Sequence, residues 1–589
     1  MASKDIEDII ALTPMQEGML FHYLKDPGSD YYFEQLCLTI TGRIDLNGFK
    51  RAWEVVVETN EMLRTRFSWE KLEKPVQIIL KKHSPRLIFH DFSADGEAID
   101  IEEVKSGDRR EKFDLKEVPF RIILCKIETD KYEMIISNHH ILYDGWSNGI
   151  ILKEFLEAYR QADKKIKAIA PVKTKFKEFV RWLQNRGVGE EEKYWREYLQ
   201  GFESGTGISL KKEAGKGLAG SGNYRFKLAP GIKDTAERFV RHHNLTSASL
   251  LYCAWGILLQ KINDSDDIIL GTTVSGRPAN IKGIEHVVGL FINTIPLRVQ
   301  SHADERILSL LKRTNDTLIA REEYESTSLV KIKEWSGVSN QEELFDSIVV
   351  LENYPLHRFL VEKNSAFAFD SYSLFEMTHY DLAVGISIVS GLEVRFIYNK
   401  AVFDENTIER LGRFFTAVVE DIPGNPGKAI SRLEIISSEE KKLILQDFND
   451  TQLDYPADKT IPELFGAQVE KNPDHTAVSC EDMHLSYNEL HLRAGRLALI
   501  LRKKGVRADT IVGLTIGRSL EMMIGIMGIL EAGGAYLPID PNYPQGRINY
   551  MLKDSKANIL LAAPAVQVQV EVKVKEKAIE IIDISKKSS

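Results

Sequence analysis

Cysteine is scarce: four in 589 residues, at Cys37, Cys125, Cys253 and Cys480. Their spacing forms neither a CxxC pair nor a zinc-ligand set. That excludes a disulfide scaffold and fits free thiols in a reducing compartment. Long apolar runs are also missing. Among the longer ones, Met522 to Leu530 falls far short of the ~20 apolar residues a membrane-spanning helix needs. The N-terminus, Met1-Ala2-Ser3-Lys4-Asp5-Ile6-Glu7-Asp8, lacks the basic start and apolar core of a signal peptide. Positive charge is not in excess: Lys plus Arg number 77 against 86 for Asp plus Glu, a formal net charge of -9. This gives no electrostatic ground for nucleic acid or an anionic membrane as a partner. The expected location is cytoplasmic.

What is present is an ordinary globular composition, 43% hydrophobic and 28% charged. The length suggests about three to five compact units. Strands and helices interleave without a fixed repeat, an α/β pattern with mixed sheets. The stretch with the most chemistry is Asn138-His139-His140-Ile141-Leu142-Tyr143-Asp144-Gly145-Trp146-Ser147. It follows a mostly apolar strand, Tyr132 to Ser137, and precedes a helix on which Ile150, Ile151, Phe155 and Leu156 recur at helical spacing. The two imidazoles and the carboxylate therefore stand at a strand end, where loops hold functional groups on a rigid frame. Residue types alone leave two readings open: a catalytic cluster, or helix capping by Asp144 or Ser147 beside satisfied structural histidines. A shared metal ion is disfavoured, because successive strand side chains point to opposite faces and no Cys, Asp or Glu cluster lies at zinc spacing; the expected metal is none.

His139-His140-Ile141-Leu142-Tyr143-Asp144-Gly145 matches the HHxxxDG signature of the condensation domains of non-ribosomal peptide synthetases, a family related to chloramphenicol acetyltransferase. Five further blocks resemble that family in order: Leu12 to Leu20, Asn60 to Phe67, Phe176 to Trp182, Val288 to Arg298, and Phe345 to Pro355. Beyond them, Leu485-Ser486-Tyr487-Asn488-Glu489-Leu490 and the run Glu531 to Asp540 resemble the first two core blocks of adenylation (AMP-binding) domains. Nothing resembling the Ser/Thr/Gly-rich phosphate loop of such domains follows Asp540. Gly533-Gly534 reads as a structural turn, since no lysine follows at phosphate-loop spacing.

The resemblance implies two chloramphenicol-acetyltransferase-like lobes in a V, residues 1–175 and 176–430, each a mixed sheet covered by helices. A linker at 431–460 and the truncated N-terminal part of an α/β adenylate-forming domain at 461–589 follow. Pro423-Gly424-Asn425-Pro426-Gly427 is expected to break regular structure at the end of the second lobe. The tail after Pro564, with Val566, Val568, Val570, Val572 and Val574 alternating with polar residues, reads as an amphipathic strand. The chain reads as a truncation of a larger synthetase, with its donor supplied by another polypeptide.

The implied reaction joins a donor acyl or peptidyl thioester to the α-amine of an acceptor aminoacyl thioester. Both are carried on phosphopantetheine arms of donor and acceptor peptidyl carrier proteins, and other synthetase subunits are further partners. No covalently bound cofactor is implied, and ATP with Mg belongs only to a full-length adenylation domain. His140 faces the reaction, either accepting a proton or positioning the amine. His139 supports it, Asp144 pairs with Arg277 to hold the loop, and Gly145 makes a tight turn whose N–H donates to the developing oxyanion. Asn293 either lines the donor channel or is an ordinary hydrogen bonder. Trp146 and Trp182 are expected in the core, and His22 and His243 at structural or surface positions. Two alternatives remain: an epimerisation domain on the same scaffold, and a non-catalytic docking module. The blocks resemble most the subtype that joins two L-configured residues.

Overall fold

A computed structural model describes residues 5–93, 100–163, 172–212, 220–278, 280–339, 341–352, 367–389, 391–563, 573–574 and 577–584. The chain divides into two compact units, Met1–Leu443 and Ile444–Ser589.

The first unit carries two large mixed sheets. One runs Phe367–Phe375, Phe33–Gly42, Lys131–His139, Phe120–Glu128, Arg86–Asp91, antiparallel except for the last pair. Its period of two is strict: Leu36, Leu38, Met134, Ile136, Ile122 and Leu124 enter the main core. On the opposite face Cys37, Ile135, Ile123 and Cys125 form a smaller cluster. The main core is closed by the Leu46–Thr59 and Gly145–Asp163 helices, where Trp53 stacks on Phe155 with ring centroids 4.8 Å apart.

The other sheet has six strands, in the order Asn293–Gln300, Asp267–Val274, Ser347–Glu352, Leu382–Ser387, Glu393–Asn399, Ser221–Lys227. Against it lies the Ser247–Asn263 helix, whose residues from Ser249 to Gln260 are all buried. A helix apolar on every side is stable only when enclosed, and the Glu405–Gly424 helix and the sheet enclose it.

Two segments cross between the expected lobes. The Phe367–Phe375 strand pairs with Phe33–Gly42 in the first sheet, and Ile284, Val287, Val288, Leu290 and Phe291 lie in the first core. The division of the chain at residue 175 is therefore not a division of the fold. The expected break at Pro423–Gly427 falls within that segment: the helix carries Pro423 in its last turn, where little helix remains to be disrupted, and ends at Gly424 with Asn425 as its cap. Of the stretch expected as linker, Leu433 is buried in the second core with Ile435 and Ile436 packed beside it, whereas Leu453 and Tyr455 are exposed.

The second unit is built on a four-stranded parallel sheet ordered Ala535–Pro538, Ile511–Thr515, Ile559–Ala562, Glu580–Asp583. The Tyr487–Lys503 and Leu520–Glu531 helices pack on it. The Leu520–Glu531 helix ends at Gly533, with φ of 90°: Gly533 N–H bonds Leu530 O at 3.0 Å and Gly534 N–H bonds Ile529 O at 2.9 Å. This paired closure needs a left-handed residue, so the glycines serve a helix stop. Of the expected tail strand over Val566–Val574, residues up to 572 lie outside the described ones, and Lys573–Val574 pairs antiparallel with Lys577–Ala578. No single described helix is long and apolar enough to cross a membrane.

Candidate active site

The Lys131–His139 strand ends at the first histidine, and the Gly145–Asp163 helix begins five residues after the second. The bend between them is clamped from three sides. His140 N–H bonds Tyr32 O at 2.7 Å, and Leu142 N–H bonds His139 O at 3.1 Å. Gln16, fully buried, donates from Nε2 to Ile141 O at 3.0 Å and to Gln77 Oε1 at 2.9 Å. The first sequence block thus holds the histidine loop in place.

The two imidazoles are set apart chemically by their partners. His139 is buried, and its Nδ1 accepts the N–H of Ile141 at 3.2 Å, which leaves its proton on Nε2. Burial, reinforced by the neighbouring His140, lowers its pKa to about 3, so it is neutral at physiological pH. His140 has the opposite tautomer. Its Nδ1 faces two acceptors, Tyr143 O at 2.7 Å and Glu34 Oε1 at 3.3 Å, and so must carry a proton. Burial alone would lower the pKa of His140. The Glu34 carboxylate and the Tyr143 carbonyl outweigh burial and raise it above the usual histidine range. Its side chain is 16% exposed, and among the described residues Nε2 has no hydrogen-bond partner.

Asp144, with no exposed surface, both caps the helix and takes part in an ion pair. Oδ1 accepts Ser147 N–H at 3.1 Å and Ser147 Oγ–H at 2.9 Å; Oδ2 accepts Phe291 N–H at 3.1 Å. Arg277 Nη2 lies 3.2 Å from Oδ1. Arg277 itself donates from Nη1 to Ile284 O at 2.8 Å and Val287 O at 2.9 Å, and its guanidinium lies 4.0 Å from the centre of the Phe291 ring. The sequence alternatives of cap and ion pair are one structure. Gly276 explains how Arg277 enters: its φ is +58°, and a Cβ there would stand 1.8 Å from Phe291 O.

Gly145 differs from its expected form. It has no left-handed φ and is the first residue of the helix, not a tight turn. The first N–H groups of a helix have no intrahelical acceptor and lie at the positive end of its dipole. Trp146 is not in the core: it is 37% exposed, its indole N–H reaching Glu285 O at 3.4 Å. It belongs to the outward stripe of the helix with Lys153 and Glu157. Trp182 is half-buried, stacked on Phe179. His22, half-buried, stacks on His379 at 4.1 Å, and His379 Nδ1 pairs with Tyr32 Oη at 2.6 Å. Asn293 is buried and donates to Glu325 O at 2.8 Å and Thr327 O at 2.7 Å, holding the start of the second sheet's edge strand.

Sequence reading overlooked Glu34, Asn138 and Tyr143. Glu34 Oε2 accepts Asn138 Nδ2–H at 3.0 Å, and Asn138 Oδ1 accepts Tyr143 Oη–H at 2.8 Å, all buried. A signal was available: Glu34 and Gln35 are polar residues early in an otherwise apolar strand.

The condensation-domain family model matches residues 6–445, and the AMP-binding-enzyme model matches residues 465–588. Tyrocidine synthase 2 of Brevibacillus parabrevis is 35% identical over 569 residues, covering 95% of this chain. Gramicidin S synthase 2 of Brevibacillus brevis is 36% identical over 561 residues, 93% of this chain. The chain spans only 16% and 12% of the lengths of these two relatives. Among solved structures, a four-domain non-ribosomal peptide synthetase bound to AMP and glycine superposes with a TM-score of 0.72 at 20% identity, over 99% of this chain and 45% of that one. The first condensation domain of the calcium-dependent antibiotic synthetase, in complex with a substrate analogue, gives 0.60 at 17% identity over 73% and 100%. These two establish likeness of fold. With the condensation-domain model matching residues 6–445 of the 589, the chain belongs to the condensation-domain family of non-ribosomal peptide synthetases, followed by a partial AMP-binding domain.

Proposed function

We propose that the first unit forms an amide bond between a donor acyl or peptidyl thioester and the α-amine of an acceptor aminoacyl thioester, each presented on the phosphopantetheine arm of a carrier protein. The observation that carries this reading is the tautomer of His140. Nδ1 is committed to Tyr143 O and Glu34, which leaves Nε2 with a lone pair and, among the described residues, no partner.

In the proposed step the amine nitrogen attacks the thioester carbonyl, the C–N bond forms and the C–S bond breaks. The amine loses a proton to His140 Nε2, and the departing thiolate takes one up. An α-amine with pKa near 8 is about ten per cent neutral at pH 7, so freeing the nucleophile costs only about 1.4 kcal/mol. Orientation contributes more, roughly 7–11 kcal/mol when two reactants are held in near-attack geometry. Gly145 N–H, at the positive end of the helix, is the proposed donor to the carbonyl oxygen as it becomes an oxyanion. Asp144 and Arg277 serve as the frame of the loop, His139 as packing behind it, and Asn293 as a support for the channel wall.

The test is a condensation assay with donor and acceptor loaded on separate carrier proteins. His140→Ala should lower amide formation by about 10²- to 10⁴-fold if it moves the proton. An unchanged rate overturns the assignment. As a base His140 must be neutral. The rate should therefore fall as pH drops through its pKa, with the acid limb above the ordinary histidine value because the Glu34 carboxylate and the Tyr143 carbonyl favour the imidazolium.

A further inference from the structure

Glu34 is a carboxylate beside the candidate base that no motif pointed to. It lies on the Phe33–Gly42 strand directly across from Asn138, while Phe33 is across from His139. This register brings its side chain, 3% exposed, to the His140 ring, with Oε1 3.3 Å from Nδ1. Burying a carboxylate is expensive unless a charge or several donors compensate it. Among the described residues its side-chain partners are the Asn138 amide and the His140 imidazole.

The other acidic groups facing His140 each have an arginine. Asp144, from the loop before the helix, pairs with Arg277. Glu376, just beyond the Phe367–Phe375 strand, pairs with Arg395, which also holds Glu352 at 2.8 Å. His139 and Tyr143 are buried and uncharged beside it. Among the described residues, Glu34 is thus the one acidic group facing the ring without an arginine, and its nearest candidate counter-charge is the imidazolium. Tyr143 O alone would fix the His140 tautomer. Burial raises the Glu34 carboxyl above the ordinary glutamate range and the charge on His140 is the largest influence opposing it, so what the carboxylate adds, when the ring is protonated, is the matching charge.

We infer that Glu34 is a positioning residue for His140: it accepts the Nδ1–H together with Tyr143 O, and it compensates the imidazolium created when Nε2 takes the proton of the acceptor amine. This rests on the proposed amide-forming reaction, but its primary test does not. In the intact chain, the His140 Cε1–H resonance is titrated in parent and Glu34→Gln protein. Glutamine keeps the shape and the contact to Asn138 but removes the charge. The His140 midpoint should lie above the ordinary histidine value in the parent and move to lower pH in the variant. In the condensation assay the acid limb should move the same way and the plateau rate fall by about 10- to 100-fold, as Brønsted behaviour of a weakened base requires. Glu34→Asp, which keeps the charge, should recover most of both.

A midpoint in folded Glu34→Gln that matches the parent overturns the inference. If that variant fails to fold, a parent midpoint below the ordinary histidine value overturns it instead. A midpoint that moves as expected in a chain that forms no amide supports the Glu34–His140 pairing and rejects the proposed reaction.

Discussion

Adjacent histidines of identical chemistry end up with opposite properties because each meets a different partner. His139 accepts a backbone N–H and is held neutral, with its pKa lowered to about 3 by burial; His140 donates to a carbonyl and a carboxylate and is pushed the other way. Asp144 has the most satisfied side chain of the group, with donors from Ser147, Phe291 and Arg277. Removing it leaves Arg277 as a buried cation without its carboxylate, and breaking such a pair typically costs about 3–5 kcal/mol. Asp144→Ala should therefore unfold at lower denaturant, and the expected result in urea is a loss of that size or insoluble protein. A variant that unfolds like the parent would mean the pair frames nothing. Of these residues, His139, His140 and Asp144 could be picked from the sequence by resemblance to a motif, and Arg277 as the arginine the resemblance implies for Asp144. For Glu34 the sequence offered only a polar residue early in a mostly apolar strand; what makes it relevant is a strand register that places residue 34 across from residue 138.

At the level of elements, the helices and strands were largely legible. Tyr132 to Ser137 lies inside the observed Lys131–His139 strand, and the apolar spacing after Gly145 gave the right helix. The parallel order of the second unit likewise follows from strands alternating with helices. Less legible was how the loop between strand and helix is held. Gln16 belongs to a helix near the N-terminus, where Thr13 and Gln16 form a reciprocal cap, yet its amide nitrogen bonds the carbonyl of Ile141, 125 residues away. Gln16→Ala would leave that carbonyl and the Gln77 oxygen without their donor. The expected loss is about 1–3 kcal/mol in equilibrium unfolding, and a loss too small to measure would mean that the bond is replaceable. Trp146 was misread because composition gives local preference, whereas the solvent side of a helix is a property of its neighbours.

At the scale of the whole molecule, the two units differ in what they contain. The first brings together residues from the beginning, middle and end of its 443 residues around His140, with Glu376 and Arg277 supplied from the second half of that unit. The second has a parallel sheet with glycines that terminate a helix and, within residues 444–589, no Ser/Thr/Gly-rich phosphate loop. A chain of residues 1–589 should therefore show no amino-acid-dependent ATP–pyrophosphate exchange above background. Measurable exchange would reject the proposed division of labour, in which this polypeptide joins activated residues without activating one.

The order of the blocks, the strand and helix periods and the scarcity of cysteine are local or additive properties, and the sequence by itself determined them, including the family and the residues of the histidine motif. That Glu34 is the carboxylate facing His140, and that the two histidines are pushed to opposite sides of the ordinary range, were decided only by tertiary structure. Proton affinity in a buried site depends on charges and hydrogen bonds within a few ångströms. Here those come from positions more than a hundred residues apart in the chain: Glu34 beside His140, and Arg277 against Asp144.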